Sequence, residues 1–450
     1  MRRNEVFMQE KRYGLLTAIT MITGIVIGSG IFFKSDDVLR YTNGNMLLGI
    51  IVFLIAAIAI VFGSLTISQL ASRTDEPGGL ISYAEKFVNK RTAGAIGWFQ
   101  LTMYFAPLVG VISWVTGLYI CQLFGIESSP KNSSLIGFIL LCLIFLLNIL
   151  SARLGGTFQN ISMIVKLIPL ILIALAGLFF GQAPEIISKD ASVMKEAITS
   201  PGWVAAFAPI AFSFDGWSIS TTICHEIKNS KRNLPLALIF APLIVLLCYV
   251  LYFVGITSLV SVDTVMQQGN ESTYLAATKV FGSIGARLIL VFVIISVLGT
   301  LNGLVLAYIQ LPYSLAYRGM LPCSNTLKKQ SEKLHGIPTN SAILAFVLSS
   351  IWILINYLTQ NANMIGDVSE VPICLSYLMF IILYITVIKL KRQGEIKSIF
   401  MGYVAPVLAI IGSIIIVTGT LSHPSFWIFT ILGVIVAACG FWYTKKFSDS

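Results

Sequence analysis

The chain has 450 residues, of which 56% are hydrophobic and only 11% charged, less than half the charged share of about 25% usual in soluble domains. Mean hydropathy is +0.86 and the apolar residues come in long blocks, which argues against a soluble enzyme, a nucleic-acid binder or a disordered scaffold. The formal charge of +10 is read through topology, because basic residues gather on the cytoplasmic face of membrane proteins.

A bilayer-spanning helix needs roughly 20 mostly apolar residues. Twelve segments meet this requirement, at 13–33, 46–71, 93–124, 133–150, 154–180, 201–224, 234–260, 281–316, 338–358, 364–388, 399–421 and 424–443. They are numbered 1 to 12 below. They predict an all-α membrane protein of twelve transmembrane helices, a single transmembrane domain over 1–450 with no soluble domain. A β-barrel is disfavoured, since runs such as Leu243–Gly255 do not alternate. The first apolar segment follows Met1–Arg12 without a small-residue cleavage site, so no signal peptide is expected. The seven cysteines are scattered, with no C-x-x-C pair, and read as packing residues; neither a metal site nor a disulfide is expected. Under strict alternation of the segments, 22 of the 30 Lys and Arg fall on the side of the two termini and seven on the other, which predicts cytoplasmic termini. Lys166 and Asp215 are then the only charges expected inside the bilayer, the rest lying in loops and tails.

Segment 1 contains Gly24-Ile25-Val26-Ile27-Gly28-Ser29-Gly30-Ile31-Phe32. Glycine inside a helix costs about 1 kcal/mol relative to alanine. Gly24 and Gly28 fit a close-packing face, but Gly28-Ser29-Gly30 points in several directions, and a local unwinding is expected there. In segment 5, Lys166 lies about twelve residues into the span, too deep to snorkel easily. An ionisable residue at that depth is a functional candidate; the alternative is a structural lysine tied to backbone carbonyls. Segment 6 carries Pro209-Ile210-Ala211-Phe212-Ser213-Phe214-Asp215-Gly216-Trp217. Proline removes a helix hydrogen bond and a mid-span carboxylate costs about 3 kcal/mol on insertion scales, so a second break is expected. Asp215 is either a cap of the following half-helix or a proton carrier. In segment 8, Ser296 and Thr300 share one helix face, and with the carbonyls of the segment-1 break they are candidate partners of Lys166. His225, His335 and His423 lie at segment ends or in loops, badly placed for a proton relay.

Segments 1 and 6 open two halves of five segments, 13–180 and 201–388, that run in opposite directions, leaving 399–443 as two peripheral helices. Interrupted helices at matching positions of inverted halves point to a transporter with its site at the midplane. The half-helix starting near Gly28–Ile31 would present free amides and a positive dipole end, suited to a carboxylate. The half-helix ending near Ala211–Phe212 would present free carbonyls, suited to an ammonium. Together they fit an α-amino acid zwitterion. The candidate substrate-binding residues are therefore Ile27, Gly28, Ser29, Gly30 and Ile31 with Ala211, Phe212, Ser213 and Phe214.

These motifs resemble the amino acid–polyamine–organocation superfamily. Ile27-Gly28-Ser29-Gly30-Ile31-Phe32 is similar to its first-helix signature and Phe212-Ser213-Phe214-Asp215-Gly216-Trp217 to its sixth. Glu226 through Pro235, Pro77-Gly78-Gly79 with Tyr83, and Leu301-Asn302-Gly303 with Arg318-Gly319-Met320-Leu321-Pro322 match further stretches. The family loop often has Ser or Thr where this chain has Pro77, and a basic residue is common near Gln310. The resemblance is greatest to bacterial members of the L-amino-acid transporter family, near alanine–serine–cysteine exchangers. It implies a five-plus-five inverted repeat of the leucine-transporter type and sodium-independent exchange of small neutral amino acids. It also implies that Lys166 is a fixed cation in place of sodium and that Phe212 is an aromatic gate over substrate, the alternative for Phe212 being core or lipid packing. The expected partners are amino-acid substrates and the lipid bilayer, with no nucleic acid, no cofactor, no metal and no obligatory subunit. A proton-coupled symporter or a cationic amino-acid or polyamine carrier of the same fold remains open, although a polyamine cavity should hold several acids. A channel, a membrane enzyme or a transporter-like receptor remains as a reading from another class.

Overall fold

The computed structural model describes residues 14–74, 79–150, 158, 161–162, 164–218, 227–331, 336–362 and 367–448, and its regular elements are helices. Among the described residues nine helices are long and apolar enough to cross a bilayer, and eleven if each of two sharply bent pairs is one span. The nine coincide with segments 2, 3, 4, 7, 8, 9, 10, 11 and 12. Segment 1 is a bent pair, Leu15–Val26 (helix 1a) and Gly30–Tyr41 (helix 1b), at 58°. In segment 5 the described helix is Leu167–Phe180, followed at 83° by Ala183–Thr199. That second helix carries Glu185, Lys189, Asp190, Lys195 and Glu196, too many charges to continue a span. The described part of segment 6 is a short apolar stretch, Pro201–Ser213. Its continuation over 219–226 lies outside the described residues, as do Pro77, Gly78, Cys224, His225, Glu226 and His335.

Segment 1 is longer than expected. Hydropathy ends it at residue 33, because Lys34, Ser35, Asp36 and Asp37 follow. Helix 1b nevertheless runs on to Tyr41 with all four of these residues buried. Their charges are paired inside the protein, which hydropathy does not register.

Segment 3, Lys90–Phe124, holds a single π-helical stretch at Gln100–Phe105. Pro107 supplies a cause, since it has no N–H for the carbonyl one turn back. The loosened carbonyls find side-chain donors: Tyr308 Oη donates to Leu101 O at 2.5 Å and Trp352 Nε1 to Thr102 O at 2.8 Å.

Segments 1 and 6 lie inside the bundle. Helix 1a packs on segment 7, which also contacts segments 2 and 5, and helix 1b packs on the Phe207–Ser213 helix of segment 6. Segment 3 packs on segments 4, 8 and 9, and segment 10 on segment 11. Segment 3 is enclosed over 94% of its apolar window and segment 12 over 22%, which puts segment 12 at the perimeter. Segment 4 turns Leu135, Ile139, Leu143, Leu146 and Leu150 outward, an apolar stripe at helical spacing that suits lipid.

Candidate functional site

Helix 1a ends at Val26 because Ile27 leaves helical geometry, with φ −66° and ψ 100°. Helix 1b restarts at Gly30, and the amides of a first helical turn have no acceptor within their own helix. The Phe207–Ser213 helix ends beside this restart. A Cβ at Gly30 would come within 2.6 Å of Ser213 Cα, so only glycine lets the two backbones meet. Beyond Ser213 the chain turns away through Gly216 at φ 95°, a conformation that glycine adopts without strain.

A cavity of about 230 Å³ lies against both breaks. Its wall includes Gly28, Ser29 and Gly30 from the first break and Phe212, Ser213, Asp215 and Gly216 from the second. Lys166, Thr300 and a mainly aliphatic set, Ile25, Val26, Leu108, Ile112, Leu304 and Leu306, complete most of the rest. Of the nine expected binding residues, five reach the cavity. Ile27, Ile31, Ala211 and Phe214 are buried behind it, because consecutive residues of a turn point to different sides. Ser29 Oγ is buried on the wall with no hydrogen-bond partner among the described residues. Such an atom is left for a ligand or water to satisfy.

Lys166 is 1% exposed. Its ammonium donates to the carbonyls of Gly24 and, at 2.7 Å, Ile27, the last turn of helix 1a. Of the candidate partners, the break carbonyls receive the lysine and the two hydroxyls do not. Thr300 Oγ1 donates to Ser296 O at 3.1 Å, while Ser296 Oγ is buried without a hydrogen-bond partner among the described residues. Thr300 still meets the break sterically, since a Cβ at Gly28 would lie 3.1 Å from its side chain.

Two phenols that the sequence did not single out organise the breaks. Tyr249 Oη of segment 7 lies 3.1 Å from Val26 O and 2.8 Å from Ser213 O, touching the end of each interrupted helix. Tyr104, in the π-helical stretch, places its hydroxyl 2.7 and 2.8 Å from the two carboxylate oxygens of Asp215. Tyr104 also lines a second cavity of about 250 Å³, with Gln100, Ser218, Gln310 and Ser314 among its polar residues. The Tyr104–Asp215 pair thus stands between the two cavities. Whether Asp215 caps the next half-helix turns on residues outside those described.

The expectation of two buried charges is corrected. Helix 1b buries Lys34, Asp36 and Asp37, and the start of segment 10 buries Asp367 and Glu370. Lys34 Nζ pairs with Glu370, with Asp367 at 2.8 Å and with Asp37 at 3.5 Å. Arg40 pairs with Asp36 at 3.2 Å and donates to Met266 O at 2.8 Å. Lys34 Nζ also lies 5.3 Å from the centre of the Phe212 ring, and Phe33 meets that ring edge-on at 5.1 Å.

The profile of the amino acid permease family matches residues 13–444. The chain is 30% identical over 414 residues to the serine/threonine exchanger SteT of Bacillus subtilis (strain 168), covering 92% of this chain and 91% of that protein. It is 26% identical over 298 residues to human b(0,+)-type amino acid transporter 1, covering 65% of this chain and 60% of that one. To human Asc-type amino acid transporter 1 it is 27% identical over 321 residues, covering 70% and 60%. A bundle of membrane-length helices around one broken segment and one short apolar helix, with a profile match over nearly the whole chain, leads to one assignment: the chain belongs to the amino acid permease family of membrane transporters.

Proposed function

We propose that this protein is a sodium-independent exchanger of small neutral L-amino acids. It would have twelve spans in a five-plus-five inverted repeat, both termini in the cytoplasm, and alternating access around the cavity between segments 1 and 6. The observation that carries this reading is the cavity itself: one interrupted helix restarts at its wall and another ends there. The carboxylate of a substrate docks on the first amides of helix 1b and on Ser29 Oγ, where the dipole end is positive. The ammonium docks at the opposite end, on the backbone around Phe212 and Ser213. Leu108, Ile112, Leu304 and Leu306 face the substrate side chain, which favours uncharged ones. The name of SteT, an exchanger of serine and threonine, supports small substrates and exchange.

Lys166 supports sodium independence. A fixed ammonium on the carbonyls of Gly24 and Ile27 makes a further cation there unfavourable. A polyamine carrier is disfavoured, because Asp215 is the one carboxylate on the cavity wall among the described residues and it already holds Tyr104. Its place there does favour a second reading, the proton-coupled symporter.

Counter-flow in proteoliposomes tests the proposal, with labelled alanine outside and each of the twenty amino acids in turn inside, with and without sodium. Trans-stimulation by alanine, serine, threonine and cysteine, unchanged when choline replaces sodium, is expected. Uptake into vesicles without internal substrate, driven by a proton gradient, would favour the symporter.

A further inference from the structure

Phe212 has two neighbourhoods. One is the substrate cavity, whose wall it helps to form. The other is charged, because Lys34 Nζ sits 5.3 Å from the ring centre. An ammonium over an aromatic face is attracted by the ring quadrupole, most strongly where water is excluded, and Lys34 is 2% exposed. Lys34 is itself held by a different element, through Asp367 and Glu370 at the start of segment 10. A chain of contacts therefore runs from segment 10 through Lys34 to Phe212 and the cavity. We propose that Lys34, fixed by Asp367 and Glu370, is a positioning residue that pins Phe212 across the outer mouth of the substrate cavity and so holds the outward side shut. The proposal rests on the orientation and binding site given above.

The charge balance favours this role over a plain structural one. Three carboxylates surround one ammonium, and Glu370 Oε2, fully buried, has no hydrogen-bond partner among the described residues. Removing one partner of a buried ion pair strands the other in a dry place. Opening the mouth does not strand these groups, since parting helix 1b from segment 10 admits water to all of them at once. The cluster is stable either closed and paired or open and hydrated, and strained in between, as a two-state element needs.

The test uses a reporter already on segment 10. Cys374 lies one turn beyond Glu370 and is fully buried. In a variant keeping only this cysteine, a membrane-impermeant thiol reagent is applied from outside the cell. Lys34→Met is expected to speed labelling of Cys374 about thirtyfold, the scale of one desolvated cation–π contact. Glu370→Gln is expected to do so less, because Asp367 remains, and Lys34→Arg to restore protection. Where Lys34→Met yields no folded protein, Glu370→Gln alone decides. In exchange assays on oriented vesicles, Lys34→Met should raise the cytoplasmic-side KM and lower the outer-side KM, since it favours the outward-open form. Equal labelling in folded Lys34→Met and Glu370→Gln, or equal losses at both faces, would overturn the proposal. Labelling needs no flux, so a shift in labelling without amino-acid exchange would sink the exchanger reading and leave the pinning role standing.

Discussion

The two buried lysines, Lys166 and Lys34, solve one problem in opposite ways. Both are almost fully enclosed and both tie a half of segment 1 to another element. Lys166 of segment 5 is cradled by carbonyls of Gly24 and Ile27 at the end of helix 1a, with no carboxylate among its hydrogen-bond partners in the described residues. Lys34 of helix 1b is surrounded by carboxylates, two of them from segment 10. A cation held by dipoles meets no opposite charge among its hydrogen-bond partners in the described residues. A cation held by surplus carboxylates is a joint, worth much when dry and little when wet. In our proposal the Lys166 end of segment 1 is permanent and the Lys34 end reversible.

The strongest way to break that contrast is Lys166→Met. It strands two carbonyls at a cost of about 1–3 kcal/mol each and removes the fixed charge. Exchange is expected to fall about 100-fold or more, equally at both faces, in protein that still elutes as a single folded peak. Normal counter-flow in such protein would end the fixed-cation reading. A smaller effect is expected from Tyr104→Phe, which takes a charge-assisted hydrogen bond from Asp215 and should slow turnover about tenfold. Phe212→Ala should raise KM for several substrates by about tenfold through lost apolar cover. Its effect on Cys374 labelling should not add to that of Lys34→Met, because the two residues act as one unit. Additive effects would separate ring and lysine. Smallest is Tyr249→Phe, expected to lower stability by about 1 kcal/mol in a thermal melt in detergent, with the Val26 and Ser213 carbonyls left to other donors.

Much of this was legible in the chain. Apolar length placed the segments, and the small or helix-breaking residues Gly28-Ser29-Gly30, Pro209 and Gly216 marked the interruptions, since backbone propensity is a local property. Lys166 stood out by depth alone. Its ligands were half legible: the break carbonyls were named, and so were Ser296 and Thr300, whose spacing gives a shared face but not whether that face points at the lysine. Hydropathy places Lys34, Asp36 and Asp37 in a loop, because it scores each charge as if water must solvate it. Their partners Asp367 and Glu370 come from more than 300 residues away, and no local pattern announces them. Tyr104 and Tyr249 were hidden for another reason: a phenol counts as apolar cover until the fold shows which acceptor its hydroxyl meets. Leu108, Ile112, Leu304 and Leu306 could not be told from any other aliphatic residue before the helices were packed. Pro107 was the one visible hint of the π-helical stretch that carries Tyr104.

The Tyr249 hydroxyl carries one proton and two carbonyls compete for it, one from each interrupted helix. Sliding helix 1a against segment 6 would lengthen one of these contacts while shortening the other, so the shared proton penalises relative motion and leaves joint motion free. This contact ties the end of helix 1a to the end of the Phe207–Ser213 helix. In the exchanger proposed above, half-sites tied in this way would present the carboxylate dock and the ammonium dock to a substrate together.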